Sequence, residues 1–246
     1  MKDLTQLAAQ FAESMGDLQV PAGGSLVASG YAENDQGSER QAAWNAVHNG
    51  RITGSQFHRA KLNAKGDGLG VGAVTWVNEI IWEWLTGLPA SDFESSKATD
   101  WGLEHEAEAI RLYEKATRRK GVRGKFFHLK GSDLIGCTPD AVGRGYGLEV
   151  KCPHTGKNHV RTLVSGKVPE EYMDQVDGHM WITGKAQCDF VSYDPRPKEE
   201  RHRLVIVTVE RNEMRIADLE SRVMMVEAAV IEGLEKLGIN YKKRKR

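Results

Sequence analysis

Apolar positions recur at steps of three and four near both ends of this chain and at steps of two through its middle, which predicts helices flanking a block of strands. Leu4, Leu7, Ala8 and Phe11 open a helical pattern. A second helix follows over 42–48, and Gly50 ends this first part just past Asn49. The stretch 65–72, KGDGLGVG, is too rich in glycine for an element and lacks the preceding strand of a dinucleotide fingerprint, so it reads as a mobile loop that is a candidate to touch substrate. Over 75–86, Trp76, Ile80, Trp84 and Leu85 fall on a helical pattern that Gly87 and Pro89 stop, with the tryptophans as core.

A longer helix is predicted over 101–120, with Glu104, Glu108, Arg111 and Lys115 as its wet stripe. KFFHLK, DLIGCTPDAV and GLEVKC then alternate as a three-strand meander, with the glycine turn GRGYG before the third strand. A helix over 169–183 begins at proline and stops at Gly184. AQCDFVSY and HRLVIVTVE are strands joined by a turn at Asp194, Pro195 and Arg196, and Leu219, Val223, Val226, Val230, Leu234 and Leu237 mark a terminal amphipathic helix. This order predicts an α/β layer fold, a central mixed sheet flanked by helices. It is read as a single domain over 1–246, mainly helical over 1–100, with the core and its terminal helix over 101–246.

Composition narrows this picture only a little. With 246 residues, 40% of them hydrophobic, the chain can bury a sizeable core. Its first twenty residues interrupt their apolar positions with Asp, Gln and Glu, unlike a signal peptide, and no run reaches transmembrane length. Cys137, Cys152 and Cys188 are too few and too far apart for a disulfide framework or a paired-cysteine zinc site, which points to a reducing compartment, the cytoplasm. Thirty-four basic residues balance 34 acidic ones, so net charge alone gives no reason to expect a nucleic-acid partner. Arg118, Arg119, Lys120, Arg123 and Lys125 cluster, as do Lys242, Lys243, Arg244, Lys245 and Arg246. Such runs are more often solvated faces or tails, and they inform only once chemistry on DNA is argued from other residues.

Candidate chemistry begins with Glu106. It follows Leu103 by three and precedes Ile110 by four and Tyr113 by seven, which turns a carboxylate toward the helix's apolar side. Such a group needs a cation, a metal or a raised pKa, and a core-facing arginine is the ordinary answer. Within 148–152, Leu148, Val150 and Cys152 share one face while Glu149 and Lys151 share the other, an arrangement equally at home on a wet strand. Asp140 changes the balance, because the glycine turn can set its carboxylate beside Glu149, and adjacent carboxylates repel unless a cation joins them. Magnesium suits the need: Asp140, Glu149 and the Val150 carbonyl can be its ligands, Glu106 can reach a second metal position, and Lys151 can orient or deprotonate a water or offset transition-state charge.

TPDAVGRGYGLEVKC carries the Pro-Asp and Glu-x-Lys signature and resembles the restriction-endonuclease-like, PD-(D/E)xK nucleases. WNAVHNGRITGS, WGLEHEAEAIRLYE, GCTPDA, GLEVKCP, YMDQVDGHMWITGKA and YDPRPKEE follow in the order of the phage lambda exonuclease and viral alkaline exonuclease family, from about Trp44 to the last helix. The resemblance implies a 5′-to-3′ exonuclease on double-stranded DNA ends, dependent on Mg²⁺ (two ions, with Mn²⁺ as a substitute) and not on ATP. It would release mononucleotides and leave a 3′ single strand for phage-type recombination. It also implies a ring-shaped homotrimer and a single-strand annealing protein as partner. By position, Asp140 and Glu149 fall on metal ligands, Lys151 on the catalytic lysine, Glu106 on the helix glutamate near the second metal and Gln175 on a glutamine beside the site. Tyr172 and His179, on the same helix face, are DNA-contact candidates, and Ser55 and Thr138 match hydroxyls that hold a 5′-phosphate. Where lambda-type enzymes place an arginine, this chain has His48, with Arg51 nearby as a substitute. Alternatives are a related endonuclease, or a DNA-end binding protein without catalysis, although the acidic pair and Lys151 are intact. A helicase-associated nuclease domain of the kind built on a four-cysteine iron-sulfur cluster is excluded by cysteine count.

Overall fold

The computed structural model describes residues 44–90 and 97–243, so the helix read from Leu4, Leu7, Ala8 and Phe11 lies outside them, as does the end of the basic tail. Residues 44–48 are helical, and Gly50 ends the turn after them with a left-handed φ of 69°. The elements that follow are β1 (Ile52–Thr53), a 3-10 turn (Gly54–Arg59), α1 (Val71–Thr86), α2 (Lys97–Thr117), β2 (Phe127–His128), β3 (Ile135–Cys137), β4 (Ala141–Val142) and β5 (Tyr146–Lys151). The chain continues through α3 (Gly156–Ser165), α4 (Glu170–Thr183), β6 (Gln187–Tyr193), β7 (Leu204–Glu210) and α5 (Glu213–Lys236). Among the described residues, no helix is long and apolar enough to cross a membrane.

The strands form two mixed sheets rather than one continuous meander. DLIGCTPDAV divides at Pro139, which has no N–H to give a ladder. Before it, β3 pairs parallel with β1 and antiparallel with β2; after it, β4 opens the order β4-β5-β6-β7, in which β5 and β6 run parallel. Gly145, with φ 87°, closes the tight β4–β5 hairpin, whose register sets Ala141 opposite Leu148.

Helices cover both faces of the second sheet. Ala109, Ile110 and Tyr113 of α2 pack with Leu148, Val150, Val191 and Tyr193, while Val176 and Met180 of α4 pack with Cys188 and Phe190. The wet stripe of α2 is exposed as predicted, but Leu103 is 66% exposed, and Arg118, with a left-handed φ of 58°, follows the helix end. A further core joins α1 and α5 to β1 and β3: Trp76 and Ile80 meet Leu219, Val223, Val226, Val230 and Leu234, each burial contributing on the order of 2 kcal/mol. Leu237 and Leu85, predicted on these faces, are exposed, Leu237 because it caps the helix rather than lying within it. Val71 and Gly72, assigned to the glycine loop, already form the first turn of α1.

Candidate active site

Successive residues of β5 point to opposite sides of the sheet. Leu148 and Val150 meet α2, so Glu149 and Lys151 must face α4. Glu149 is only 2% exposed, which removes the wet-strand alternative. Extending the β4–β5 register by one residue places Asp140 across from Glu149. The Asp140 N–H donates to the Leu148 carbonyl (3.0 Å), and the Val150 N–H donates to Asp140 Oδ2 (2.6 Å), so the carboxylate takes the ladder place where a backbone carbonyl would have been. N–H and C=O of one residue point to the same side of a strand, which puts the Val150 carbonyl on the Asp140 side as well.

Glu149 has two unlike oxygens. Oε1 receives the Lys151 ammonium at 2.5 Å. Oε2 is buried without a hydrogen-bond partner, and His179 Nδ1 stands 3.5 Å from it. The Asp140 carboxyl is held well above the usual carboxylate range by burial, then by the charges of Glu149 and Glu106, against the pull of Lys151 and the Val150 N–H. Glu106, half-buried on α2, therefore reaches the field of this pair. Burial works against charge on Lys151, yet Glu149 and Asp140 outweigh it and hold the ammonium above its ordinary value. In this state Lys151 is a donor and a positive charge rather than a base.

An orphaned carboxylate oxygen beside a carboxyl pushed toward protonation is a site that lacks positive charge, and the residues present fit a divalent cation. The donors are hard oxygens, suited to magnesium or manganese with water and phosphate completing the shell. Among the described residues, no group of three or more His, Cys, Asp and Glu forms a protein-only metal cage.

On α4, Tyr172 stacks on Phe190 (5.5 Å) and lies under the Lys151 ammonium (5.2 Å), while Gln175 is buried on the same helix side. His179 was expected among DNA contacts. It is 1% exposed and lies against Glu149 rather than on an open surface, and burial holds its imidazole below the ordinary value, against Glu149 and with Lys151. The helix is pinned from behind by Arg215 on Asp177 (2.8 and 3.0 Å) and by Arg222 on Asp174 (2.9 Å).

His48 and Thr138, distant in sequence, meet. The Trp44 carbonyl can only accept, so His48 Nδ1 is the donor at 2.8 Å, and in the neutral ring Nε2 accepts from the Thr138 hydroxyl at 3.0 Å. The ring stacks on Trp44 (3.5 Å), and burial first, then Arg51, hold it below the usual imidazole value against the Trp44 bond. Arg51 lies 5.4 Å over Phe126, whose ring meets His48 edge-on at 5.3 Å. Glu83 accepts from the Gly50 N–H (2.6 Å) and Trp84 donates to the Gly50 carbonyl (2.8 Å), fixing the turn between His48 and Arg51. Ser55, exposed, lies 3.5 Å from Thr53, which caps the 3-10 turn; among the described residues no hydrogen bond joins it to His48 or Thr138.

Residues 43–186 match the profile of the YqaJ-like viral recombinase domain. The chain belongs to this family. Its fold is similar to that of an alkaline exonuclease from Laribacter hongkongensis (27% identity, TM-score 0.71, covering 80% of this chain and 95% of that one), also solved in complex with dAMP (28%, 0.71, 79% and 95%). A phage-related exonuclease from Haemophilus somnus 129PT matches at TM-score 0.60 over 79% of this chain and 99% of its own, and at 18% identity speaks for the fold alone. The protein ExoD of Escherichia coli (strain K12) is 35% identical over 74 residues, 30% of this chain and 83% of ExoD. The restriction-endonuclease-like fold expected from the motifs is therefore the fold this YqaJ-like chain has.

Several residues that build the site in this YqaJ-like domain escaped sequence reasoning. α3 has His159 and Thr162 as its buried residues, so it shows no apolar stripe; His159 is bonded to Ser192 (2.9 Å) and to the His202 carbonyl (2.8 Å) beside the end of β5. Gly54 is closely packed: a Cβ there would lie 3.0 Å from Cys137 Cβ, a tight contact, and 3.4 Å from the His179 ring. Gly178 likewise admits Phe57, which a Cβ would meet at 2.5 Å. Part of the basic cluster is structural: Arg119 serves buried Asp189 (2.5 Å) and Arg123 serves Glu114 (2.7 Å).

Proposed function

We propose that this chain is a Mg²⁺-dependent, ATP-independent 5′-to-3′ exonuclease that digests one strand of double-stranded DNA from its ends to mononucleotides. The observation that carries it is the opposition of Asp140 and Glu149 across one hairpin, with Lys151 on one Glu149 oxygen and the other oxygen unsatisfied. The likeness to an alkaline exonuclease supports the same reaction class.

Asp140, Glu149 and the Val150 carbonyl would hold the cation, with Glu106 near a second position and Mn²⁺ as a substitute. When bound, the ion supplies Lewis acidity at the scissile phosphate and a more acidic water. Lys151, held charged, orients the attacking water and offsets charge that develops on the phosphoryl oxygens. Tyr172 presents its ring to the lysine ammonium, and Gln175 lines the helix side of the site. His48, Thr138, Ser55 and Arg51 would anchor a 5′-phosphate. The working assembly would be a homotrimeric ring around DNA, in the cytoplasm, passing its 3′ strand to an annealing protein; light scattering that gave one chain mass would exclude the ring.

Glu149→Ala is expected to lower Mg²⁺-supported digestion of linear duplex by about 10³-fold without loss of fold. A variant that still degraded DNA would overturn the assignment.

A further inference from the structure

Two buried polar atoms face each other here and neither is satisfied: Glu149 Oε2 and His179 Nδ1, 3.5 Å apart. Their residues are 2% and 1% exposed, so water is a poor substitute partner for either. A buried polar group left unpaired costs about 1–3 kcal/mol, and here two such groups lie within a few tenths of an ångström of a hydrogen bond. A carboxylate only accepts, and a ring nitrogen that turned its lone pair toward it would be repelled, so the tautomer that fits carries its proton on Nδ1.

The surroundings point the same way. Lys151 already holds Oε1 at 2.5 Å and leaves Oε2 as the oxygen without a fixed direction. His179 projects from the middle of α4, which Arg215 and Arg222 lock through Asp177 and Asp174, so its ring has a rigid base. The far side of the ring abuts Gly54: a Cβ there would stand 3.4 Å from His179 Cδ2 and 3.5 Å from Nε2, in van der Waals contact, and 3.0 Å from the side-chain Cβ of Cys137 in β3. The imidazole therefore packs directly against the 3-10 turn on the side away from Glu149. Ser55, on that same turn, follows immediately.

We propose that His179 is a positioning residue that donates from Nδ1 to one lone pair of Glu149 Oε2 when the site is engaged, leaving the other for the cation proposed above, and so fixes the orientation of that carboxylate. It touches neither DNA nor the reacting atoms, and it deepens the nuclease function proposed above. Hydrogen bonds of this kind are often long in an unliganded site and tighten on binding, and partners that orient a ligating carboxylate change metal affinity by roughly 10–100-fold when removed.

Three variants test it: His179→Asn, which returns an amide donor near the Nδ1 position; His179→Gln, whose amide reaches toward Nε2 instead; and His179→Leu, which has none. Mn²⁺ binding is measured by calorimetry on the full chain, with kcat and KM on linear duplex and the melting midpoint alongside. The expected result is a loss of roughly 10–100-fold in Mn²⁺ affinity for Leu and Gln, a fall in kcat with KM for DNA little changed, and recovery to within a few-fold in Asn. Should Leu fail to fold, the Asn and Gln pair decides alone. Wild-type Mn²⁺ affinity and kcat in Gln or Leu, or equal loss in Asn and Gln at matched melting midpoints, would overturn the proposal. A wild-type chain that neither bound Mn²⁺ nor cut DNA would refute the nuclease function itself, and this inference with it.

Discussion

At the scale of single residues, the site is decided by what each polar atom has left to bond. Asp140 and Glu149 were legible in the sequence because a glycine turn and a period-two strand place them opposite each other, and simple alternation also separated Glu149 and Lys151 from Leu148 and Val150. Burial of Glu149 was not legible, since it depends on α4 covering that face. His48 gives the sharpest residue-scale prediction. A neutral His48 turns a lone pair toward Thr138, whereas a protonated one offers a second donor and a charge to phosphate. Burial, followed by Arg51, holds its pKa below the ordinary value, so protonation is favoured only toward acid. The ratio of rates on 5′-phosphorylated and 5′-hydroxyl ends is therefore expected to fall as pH rises through the range below about 6.5 and to level off above it, and His48→Ala should lower it at the acid end. A ratio that stayed flat with pH and unchanged in the variant would exclude His48 as an anchor.

At the scale of elements, α4 and α5 are joined by ion pairs that hold the helix lining the candidate site. Arg222 is 11% exposed and Asp174 18%, and Arg222 also donates to the Ala60 carbonyl (2.9 Å), so one guanidinium ties α5, α4 and the 3-10 turn together. Burial works to raise the Asp174 carboxyl, but the hydrogen bond and charge of Arg222, with Lys61, outweigh it and hold the group below the usual carboxylate range. A depressed carboxyl contributes stability above its unfolded pKa of about 4, which is lost as pH falls through the folded value. Arg222→Leu should thus cost about 2 kcal/mol near neutrality and progressively less below about pH 4. Denaturant midpoints at the two pH values check this, and an equal cost at both would show that packing rather than charge holds the helices. The sequence carried these helices clearly, from Pro169 and Gly184 on α4 and from the leucine and valine stripe on α5. It did not carry α3, whose buried side chains are polar, nor the division of the strands at Pro139, where one missing N–H sends the chain from one sheet to another. Gly54 and Gly178 were equally silent, because a glycine required for a close approach looks like any other until the neighbour is known.

At the scale of the whole molecule, a balanced charge of 34 basic and 34 acidic residues gave no hint of a DNA partner. Arg119 and Arg123, apparent members of a basic patch, are engaged with Asp189 and Glu114, so the cluster offers DNA less than its composition suggests. A ring that gathers its remaining basic residues along a channel would reconcile neutrality with DNA binding. The fold and family agree with a nuclease of the alkaline exonuclease kind, and end dependence and polarity are what distinguish the proposed reaction from cutting within a strand. Both are read in one digestion: linear duplex labelled at either the 5′ or the 3′ end, beside the same DNA as a supercoiled circle, with Mg²⁺ and without ATP. Mononucleotides released first from the 5′ label, a retained 3′ strand, an intact circle and no reaction once the metal is chelated are the expected result. Release from the 3′ label first, internal fragments, or a nicked circle would contradict it.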